Sequence, residues 1–129
     1  GTDGAASNND LNLFSEMDSG VKLQKLNQFE MTTKQIFDAA TLGGAKALGL
    51  DSKIGSLETG KLADFSVISF SGVAAVGMQN PLVQLVYCPQ SVQVLETFVS
   101  GKIVCKAGQL TGLDTDRLRQ DAETWIKRI

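Results

Sequence analysis

The first third of the chain carries apolar residues at helical spacing. One stripe consists of Leu13, Phe14, Met17 and Val21, at positions i, i+1, i+4 and i+8. This spacing is typical of one face of an amphipathic α-helix. We expect Asn9 or Asp10 to cap the helix, because a short polar side chain can accept hydrogen bonds from the free N–H groups of the first turn. The helix is expected to end near Asn27.

A second helix is predicted to begin after Thr32, a favourable N-cap residue. Its apolar face consists of Phe37, Ala40, Gly44, Ala47 and Leu48. Because Gly43 and Gly44 are adjacent and glycine weakens a helix, a kink or a division into two short helices is expected there. Gly49 can adopt the left-handed conformation that ends a helix.

Beyond residue 50 the pattern changes to short extended segments. Three strands are predicted, at Phe65–Phe70, Val92–Val99 and Lys102–Lys106. The dipeptide Ser100-Gly101 predicts a hairpin between the last two strands. Since the first two strands are apolar on both faces, both faces need cover. We expect part of that cover to lie outside this chain.

Two further helices complete the pattern. Asn80-Pro81 predicts a short helix that ends at Tyr87, before Cys88-Pro89. A C-terminal helix is predicted over residues 115–127, with Asp114 or Thr115 as its cap. Its apolar stripe consists of Leu118, Ala122, Trp125 and Ile129, and Trp125 is predicted to anchor it in a core. Helices followed by a small mixed sheet and a closing helix indicate an α+β fold.

Composition excludes several classes of protein. The 129 residues are 43% hydrophobic and 20% charged, as in a folded domain. Twelve basic and 14 acidic residues give a net charge of −2, so we expect neither nucleic acid nor an anionic membrane as a partner. No apolar run approaches the roughly 18 residues of a membrane span. Two cysteines, Cys88 and Cys105, form no disulfide or zinc pattern, and a reducing cytoplasm is the expected location.

Candidate chemistry is sparse when the residues are taken alone. The chain has no histidine, which excludes a histidine-dependent triad or a histidine-ligated zinc site built from this chain alone. Asp3, between Thr2 and Gly4, is typical of a turn. Ser7, Asn8 and Asn9 are typical of a polar loop and a helix cap. Cys105 is predicted to be a buried small hydrophobic residue, and neither cysteine has a histidine to activate it.

Three segments resemble metal-dependent amidohydrolases. The run GTDGAASNNDLNLFSEM, residues 1–17, resembles the segment that ends the last barrel strand of that family. It is most similar to the branch that deaminates methylthioadenosine and S-adenosylhomocysteine and that also holds s-triazine chlorohydrolases. Residues 39–70 resemble the link from the final barrel helix into a C-terminal sandwich domain, and residues 94–111 resemble its closing hairpin. The three segments occur in the family's order.

The resemblance implies an α+β fragment of a larger enzyme. Residues 1–49 would form the end of the last strand of a (β/α)8 barrel, an active-site loop and barrel helices. Residues 50–110 would form the C-terminal part of a composite β-sandwich, and residues 111–129 a closing helix. The sequence opens on Gly1, and we expect the same polypeptide to include an upstream part that carries the rest of the barrel. The glycines at 55 and 60, with Lys61 and Asp64, are expected to be structural.

The resemblance also implies an active site at the start of the chain. Asp3 matches the aspartate that binds the metal and carries protons to and from the attacking water. Ser7, Asn8 and Asn9 match the loop on the substrate side, without individual roles. The parent enzyme would hold a divalent metal, either zinc or iron, whereas the 129-residue chain alone is expected to hold none and to be inactive.

The implied function is the hydrolytic deamination of adenosine-like small molecules of the methylthioadenosine and S-adenosylhomocysteine type, in a cytoplasmic homo-oligomer. Two alternatives stay open. The chain could be a non-catalytic packing or oligomerisation module, or the enzyme could act on s-triazines or other aminated heterocycles. A His-x-His motif upstream of Gly1 would favour the enzyme over the module.

Overall fold

Helices pack against one end of the first two strands of an antiparallel sheet, in a computed structural model that describes residues 1–127. The helices are α1 (Leu13–Leu26), α2 (Thr33–Asp38), α3 (Gly44–Ala47), α4 (Pro81–Tyr87) and α5 (Thr115–Ile126). The strands are β1 (Phe65–Phe70), β2 (Val92–Val99), β3 (Lys102–Lys106) and β4 (Gln109–Leu110). Short 3₁₀ turns lie at Val73–Ala75 and Pro89–Ser91. The α+β class is therefore confirmed.

The start of α1 differs from the prediction. Asn12 is the N-cap, and its Oδ1 accepts a hydrogen bond from the Phe14 N–H at 3.0 Å. Asn9 and Asp10 were wrong as caps, because the chain between them and α1 is not helical. The Asp10 N–H instead donates to Asn8 Oδ1 at 3.0 Å. The helix ends at Leu26, as expected.

The second helical segment begins where predicted and continues through its glycines. Thr32 caps α2 in a reciprocal capping box with Gln35. Residues Ala39–Gly43 then form a π-helical turn that leads directly into α3. The expected irregularity at the glycine pair is thus a wider helical turn, and the backbone stays right-handed at Gly43 and Gly44. Gly49 follows with φ +68°, which confirms the left-handed end.

The sheet has the strand order β1-β2-β3-β4 with antiparallel pairing throughout, so the prediction of a mixed sheet was wrong. The bounds of the three predicted strands are confirmed. The rings of Phe65 and Phe98 face each other across β1 and β2 with centroids 4.5 Å apart. Ser100 and Gly101 both have positive φ, as in the type I′ turns that suit a two-residue hairpin. A second turn of this kind at Ala107 leads into β4, which the sequence patterns did not predict.

The core is small and lies between α1, α4 and β1. Met17 and Val21 of α1 contact Leu85 and Val86 of α4, and all four are buried. The half-buried side chains packed around them include Ile68 and Phe70 from β1, with Phe14, Ile36, Phe37, Ala40, Leu82 and Val92. The predicted α1 stripe is therefore confirmed for its central residues, whereas Leu13 is 40% exposed.

Much apolar surface stays uncovered within the described chain. Large aliphatic side chains of the sheet remain exposed, namely Val67, Leu95, Val99, Ile103 and Val104. The prediction of a core-docked α5 was wrong: Trp125 is 66% and Leu118 is 56% exposed, and every residue of α5 from Thr115 to Ile126 is exposed, so no face of this helix is buried in a core. Ile129, the last residue of that stripe, lies outside the described residues. Cys105 is only half-buried, which corrects its assignment as a buried residue.

Within residues 1–127, no helix is both long and apolar enough to cross a membrane.

Candidate active-site loop

Residues 1–12, which we call the Asp3 loop, form a compact turn ahead of α1. The carbonyl oxygen of Gly4 accepts hydrogen bonds from the N–H groups of Ser7 and Asn8, at 3.0 and 3.1 Å. The Ser7 hydroxyl donates to the same oxygen at 3.1 Å. This convergence on one carbonyl folds residues 4–8 back towards Asp3.

Asp3 itself adopts an unusual backbone conformation. Its φ is +60°, in the left-handed region that residues other than glycine rarely occupy. Aspartate tolerates this region better than most residues, because its short side chain can hydrogen-bond locally. Here Asp3 Oδ1 accepts from the Gly4 N–H at 2.7 Å. Strained backbone of this kind persists only where surrounding contacts hold it, and it concentrates at functional sites.

The Asp3 carboxylate is exposed, and only one of its two oxygens, Oδ1, accepts a hydrogen bond from a described residue. Oδ2 is therefore open to a ligand. A carboxylate oxygen is a suitable ligand for zinc, but a catalytic zinc site needs about three protein ligands. Within the described part of the chain no cluster of three metal-ligating side chains exists. Asp3 therefore presents one free carboxylate oxygen, and residues 1–127 group no further metal-ligating side chains into a three-ligand cluster around it.

The other three predicted site residues differ in their surroundings. Ser7 is exposed and bonds only within the turn. Asn8 is half-buried, and its Nδ2 donates to Thr2 O at 2.8 Å and to Glu16 Oε1 at 2.9 Å. Asn9 is exposed and makes no hydrogen bond to any described residue. The structure therefore brings Asn8 to the backbone beside Asp3 and leaves Asn9 apart.

Glu16 is the residue of this region that the sequence patterns did not single out. It lies in the first turn of α1, where an acidic side chain interacts favourably with the helix dipole. That general preference gives no indication of a partner. Glu16 meets Asn8 only because the loop between them folds back over eight residues of sequence.

A separate apolar groove of about 870 Å³ opens between the helices and β1. Its lining includes Phe14 and Met17 from α1, Phe37 from α2, Phe70 from β1 and Leu85 from α4. Asp3, Ser7, Asn8 and Asn9 do not line it. The groove and the Asp3 loop are therefore different features, joined through α1.

The segment before β1 has a structural role, as expected. Asp64 Oδ1 accepts from the Ser100 N–H at 2.6 Å and so ties this segment to the hairpin turn. Lys61 Nζ donates to Ser56 Oγ at 2.6 Å and lies 3.4 Å from Glu58 Oε1. The hydrogen bond from Ser56, together with the charge of Lys61, lowers the pKa of Glu58 below its ordinary value.

Comparison with known proteins gives a consistent result. Residues 1–104 match the sequence model of the amidohydrolase family. The chain is 39% identical to a 5-methylthioadenosine/S-adenosylhomocysteine deaminase of Syntrophobacter fumaroxidans, over 93% of this chain and 28% of that protein. It thus spans less than a third of the length of this relative.

Solved structures show the same partial coverage. A zinc-bound adenosine deaminase from Xanthomonas campestris superimposes with a TM-score of 0.90 at 36% identity, over 99% of this chain and 30% of that one. The atrazine chlorohydrolase of Arthrobacter aurescens TC1, complexed with zinc, superimposes with a TM-score of 0.76 over 94% of this chain and 28% of that one. Its 21% identity supports a shared fold alone.

Proposed function

This chain belongs to the amidohydrolase family, and we propose from that premise that it is the C-terminal part of a metal-dependent deaminase. The proposed substrates are adenosine-like molecules of the methylthioadenosine and S-adenosylhomocysteine type. In this proposal residues 1–49 complete a (β/α)8 barrel, residues 50–110 contribute to a composite β-sandwich, and residues 111–129 close the fold. The rest of the barrel would come from an upstream part of the same polypeptide.

The observation that carries the proposal is the state of Asp3. Asp3 is exposed, has a left-handed backbone and keeps one carboxylate oxygen without a hydrogen-bond partner among residues 1–127, so this oxygen is available to a ligand. The loop that holds it lies within the matched residues 1–104. The similarity to deaminases at 36% and 39% identity supports the reaction class and the substrate type.

Asp3 has two tasks in this proposal. A divalent metal, with zinc favoured by the zinc-bound neighbour and iron as the alternative, would supply a water of lowered pKa when bound. Asp3 Oδ2 would be one of its ligands and would offset part of its charge. The same carboxylate would take a proton from the attacking water and then return it to the departing amine, as a general base and a general acid in turn. Ser7 and Asn9 are proposed to face the substrate side of the loop.

Asp3→Asn in the full-length protein tests this assignment. Asparagine keeps the size of the side chain and tolerates the turn, but it loses the charge and the ability to carry a proton. We expect kcat for methylthioadenosine to fall by roughly 10²–10⁴-fold, the usual worth of a general acid–base group. The melting temperature of the metal-free protein should stay nearly unchanged, because Asp3 is exposed.

An Asp3→Asn variant with full activity and normal metal content would refute the role of Asp3. Wild-type protein that binds metal yet hydrolyses only s-triazines or another aminated heterocycle would refute the substrate assignment. Protein without bound metal or turnover on any of these substrates would favour a non-catalytic module.

A further inference from the structure

We propose that Asn8 and Glu16 form a positioning clamp that holds the backbone of Asp3 in its strained conformation. The clamp consists of the two hydrogen bonds from the Asn8 side-chain amide, one to Thr2 O and one to Glu16 Oε1. This inference rests on the proposed role of Asp3 and assigns individual roles to two residues that do not themselves touch the reacting atoms.

The Asn8 amide is used on both of its sides. Its NH₂ group donates to Thr2 O at 2.8 Å and to Glu16 Oε1 at 2.9 Å. Its Oδ1 accepts from the Asp10 N–H at 3.0 Å. An asparagine side chain offers two donors and one oxygen with two lone pairs, so both donors and one lone pair are engaged. Side-chain geometry with this many partners is set by the hydrogen bonds and leaves little rotational freedom.

The bond to Thr2 acts directly on Asp3. The carbonyl of Thr2 belongs to the planar peptide group that includes the Asp3 nitrogen. The φ angle of Asp3 describes rotation about the bond between this nitrogen and the Asp3 Cα, and its value is +60°. Fixing the orientation of that peptide plane therefore opposes relaxation of Asp3 to negative φ. The Gly4 N–H on Asp3 Oδ1 sets the side chain, and Asn8 sets the backbone ahead of it.

Glu16 connects the clamp to the core. A hydrogen bond to an ionised carboxylate is stronger than one between neutral groups. Glu16 is the neighbour of Met17, which is 4% exposed and packs against Leu85 and Val86. The position of the Glu16 backbone is therefore fixed by the buried interface of α1 with α4. Through its hydrogen bond to Asn8, Glu16 therefore ties the exposed Asp3 loop to a fixed position on α1.

The test compares four variants of the full-length protein: Asn8→Ala, Glu16→Ala, Glu16→Gln and Asp10→Asn. Glu16→Ala removes the acceptor, whereas Glu16→Gln keeps an oxygen that can accept from Asn8. Asp10→Asn is the control for the loss of a nearby carboxylate, because Asp10 contacts Asn8 only through its backbone N–H, which lies outside the clamp and is kept in this variant.

For Asn8→Ala and Glu16→Ala we expect kcat to fall about ten- to a hundredfold, as for other groups that orient a metal ligand. KM should change by less than about threefold, since binding of the substrate is not the clamp's task. Glu16→Gln should recover most of the lost kcat, and Asp10→Asn should match the wild type. Recovery by Gln distinguishes positioning from a role of the Glu16 charge.

A second measurement uses metal-free protein and needs no activity. Hydrogen exchange of the Ser7 and Asn8 amides, which donate to Gly4 O, should become about tenfold faster in Asn8→Ala and Glu16→Ala. The melting temperature should change little, which separates loosening of the loop from global unfolding.

The failures of the clamp and of the proposed function are distinguishable. If Asp3→Asn is inactive while Asn8→Ala and Glu16→Ala keep wild-type kcat, the clamp is refuted and the role of Asp3 stands. If Asp3→Asn is fully active, the role of Asp3 fails, and the exchange measurement alone decides whether the loop is held as proposed. Unchanged exchange in both alanine variants refutes the clamp in either case.

Discussion

Gly55→Ala should loosen the junction between the helices and the sheet far more than Gly60→Ala, although both glycines lie in the loop before β1. Their backbones are alike, with φ of +91° at Gly55 and +95° at Gly60. Their surroundings differ. A Cβ at Gly55 would lie 2.7 Å from Ala45 Cβ and 3.0 Å from Leu42 Cα, whereas a Cβ at Gly60 would meet nothing within 4 Å.

The expected magnitudes follow from these two differences. Left-handed backbone costs a residue with a Cβ about 1–2 kcal/mol, and both variants incur that cost. Only Gly55→Ala adds overpacking, typically about 1–3 kcal/mol, because the helical backbone at Leu42 cannot move aside as a flexible side chain could. The local destabilisation should therefore be about 2–5 kcal/mol at Gly55 and about 1–2 kcal/mol at Gly60.

Hydrogen exchange of individual amides in the full-length protein measures the local destabilisation in each variant. The Leu50 N–H donates to Ala45 O at 2.8 Å, and the Leu62 N–H donates to Lys53 O at 2.8 Å. At about 1.4 kcal/mol per factor of ten, exchange through local opening should accelerate roughly 30- to 4,000-fold in Gly55→Ala and about 5- to 30-fold in Gly60→Ala. Equal acceleration in the two variants would refute the close packing of this loop on α3.

Three further predictions concern the isolated chain and one surface cluster. The purified 129-residue chain should hold no stoichiometric zinc and should not deaminate methylthioadenosine, because it has no histidine; elemental analysis and an ammonia-release assay check this, and metal with turnover would contradict it. The same chain should self-associate through its exposed apolar sheet residues, so the weight-average mass measured by light scattering should rise with concentration, and the mass of a monomer at every concentration would count against the idea. Ser56→Ala should raise the pKa of Glu58 towards its ordinary value, because the Ser56 hydroxyl stabilises the charged form of the carboxylate. Because the pKa of Glu58 is lower in the folded than in the unfolded protein, the charged carboxylate stabilises the fold at pH values above its unfolded pKa. This stabilisation is lost as the pH falls through the pKa of the folded state. A titration by carboxyl-carbon NMR that is unchanged in Ser56→Ala would contradict this assignment.

Local signals in the sequence were sufficient for most of the secondary structure. The capping box at Thr32, the Asn80-Pro81 start of α4 and the Ser100-Gly101 turn each depend on residues within one or two turns of chain. The failures have a different cause. Burial of the apolar stripe of α5 requires a surface that receives it, and periodicity identifies the stripe without identifying that surface.

The candidate site was predictable only in part, for a related reason. Asp3 was identified by its resemblance to a family motif, but its left-handed backbone follows from contacts made across the loop. The partnership of Asn8 with Glu16 joins residues in a loop and in a helix, and neither helical nor strand periodicity connects them. The sequence alone cannot specify a complete metal site, because the chain contains no histidine and its described residues include no cluster of three metal-ligating side chains.

The geometry of the Asp3 loop depends on the packing of the helices behind it. One turn of α1 holds Glu16, which fixes Asn8 from one side, and Met17, which lies in the core on the other. Met17 and Val21 pack against Leu85 and Val86, so α4 determines where the first turn of α1 can lie. A cavity in that interface would therefore shift the acceptor of the clamp before it unfolded the domain. A weakened core should therefore first displace this turn of α1, and with it Glu16, and should affect the exposed residues of the Asp3 loop only afterwards.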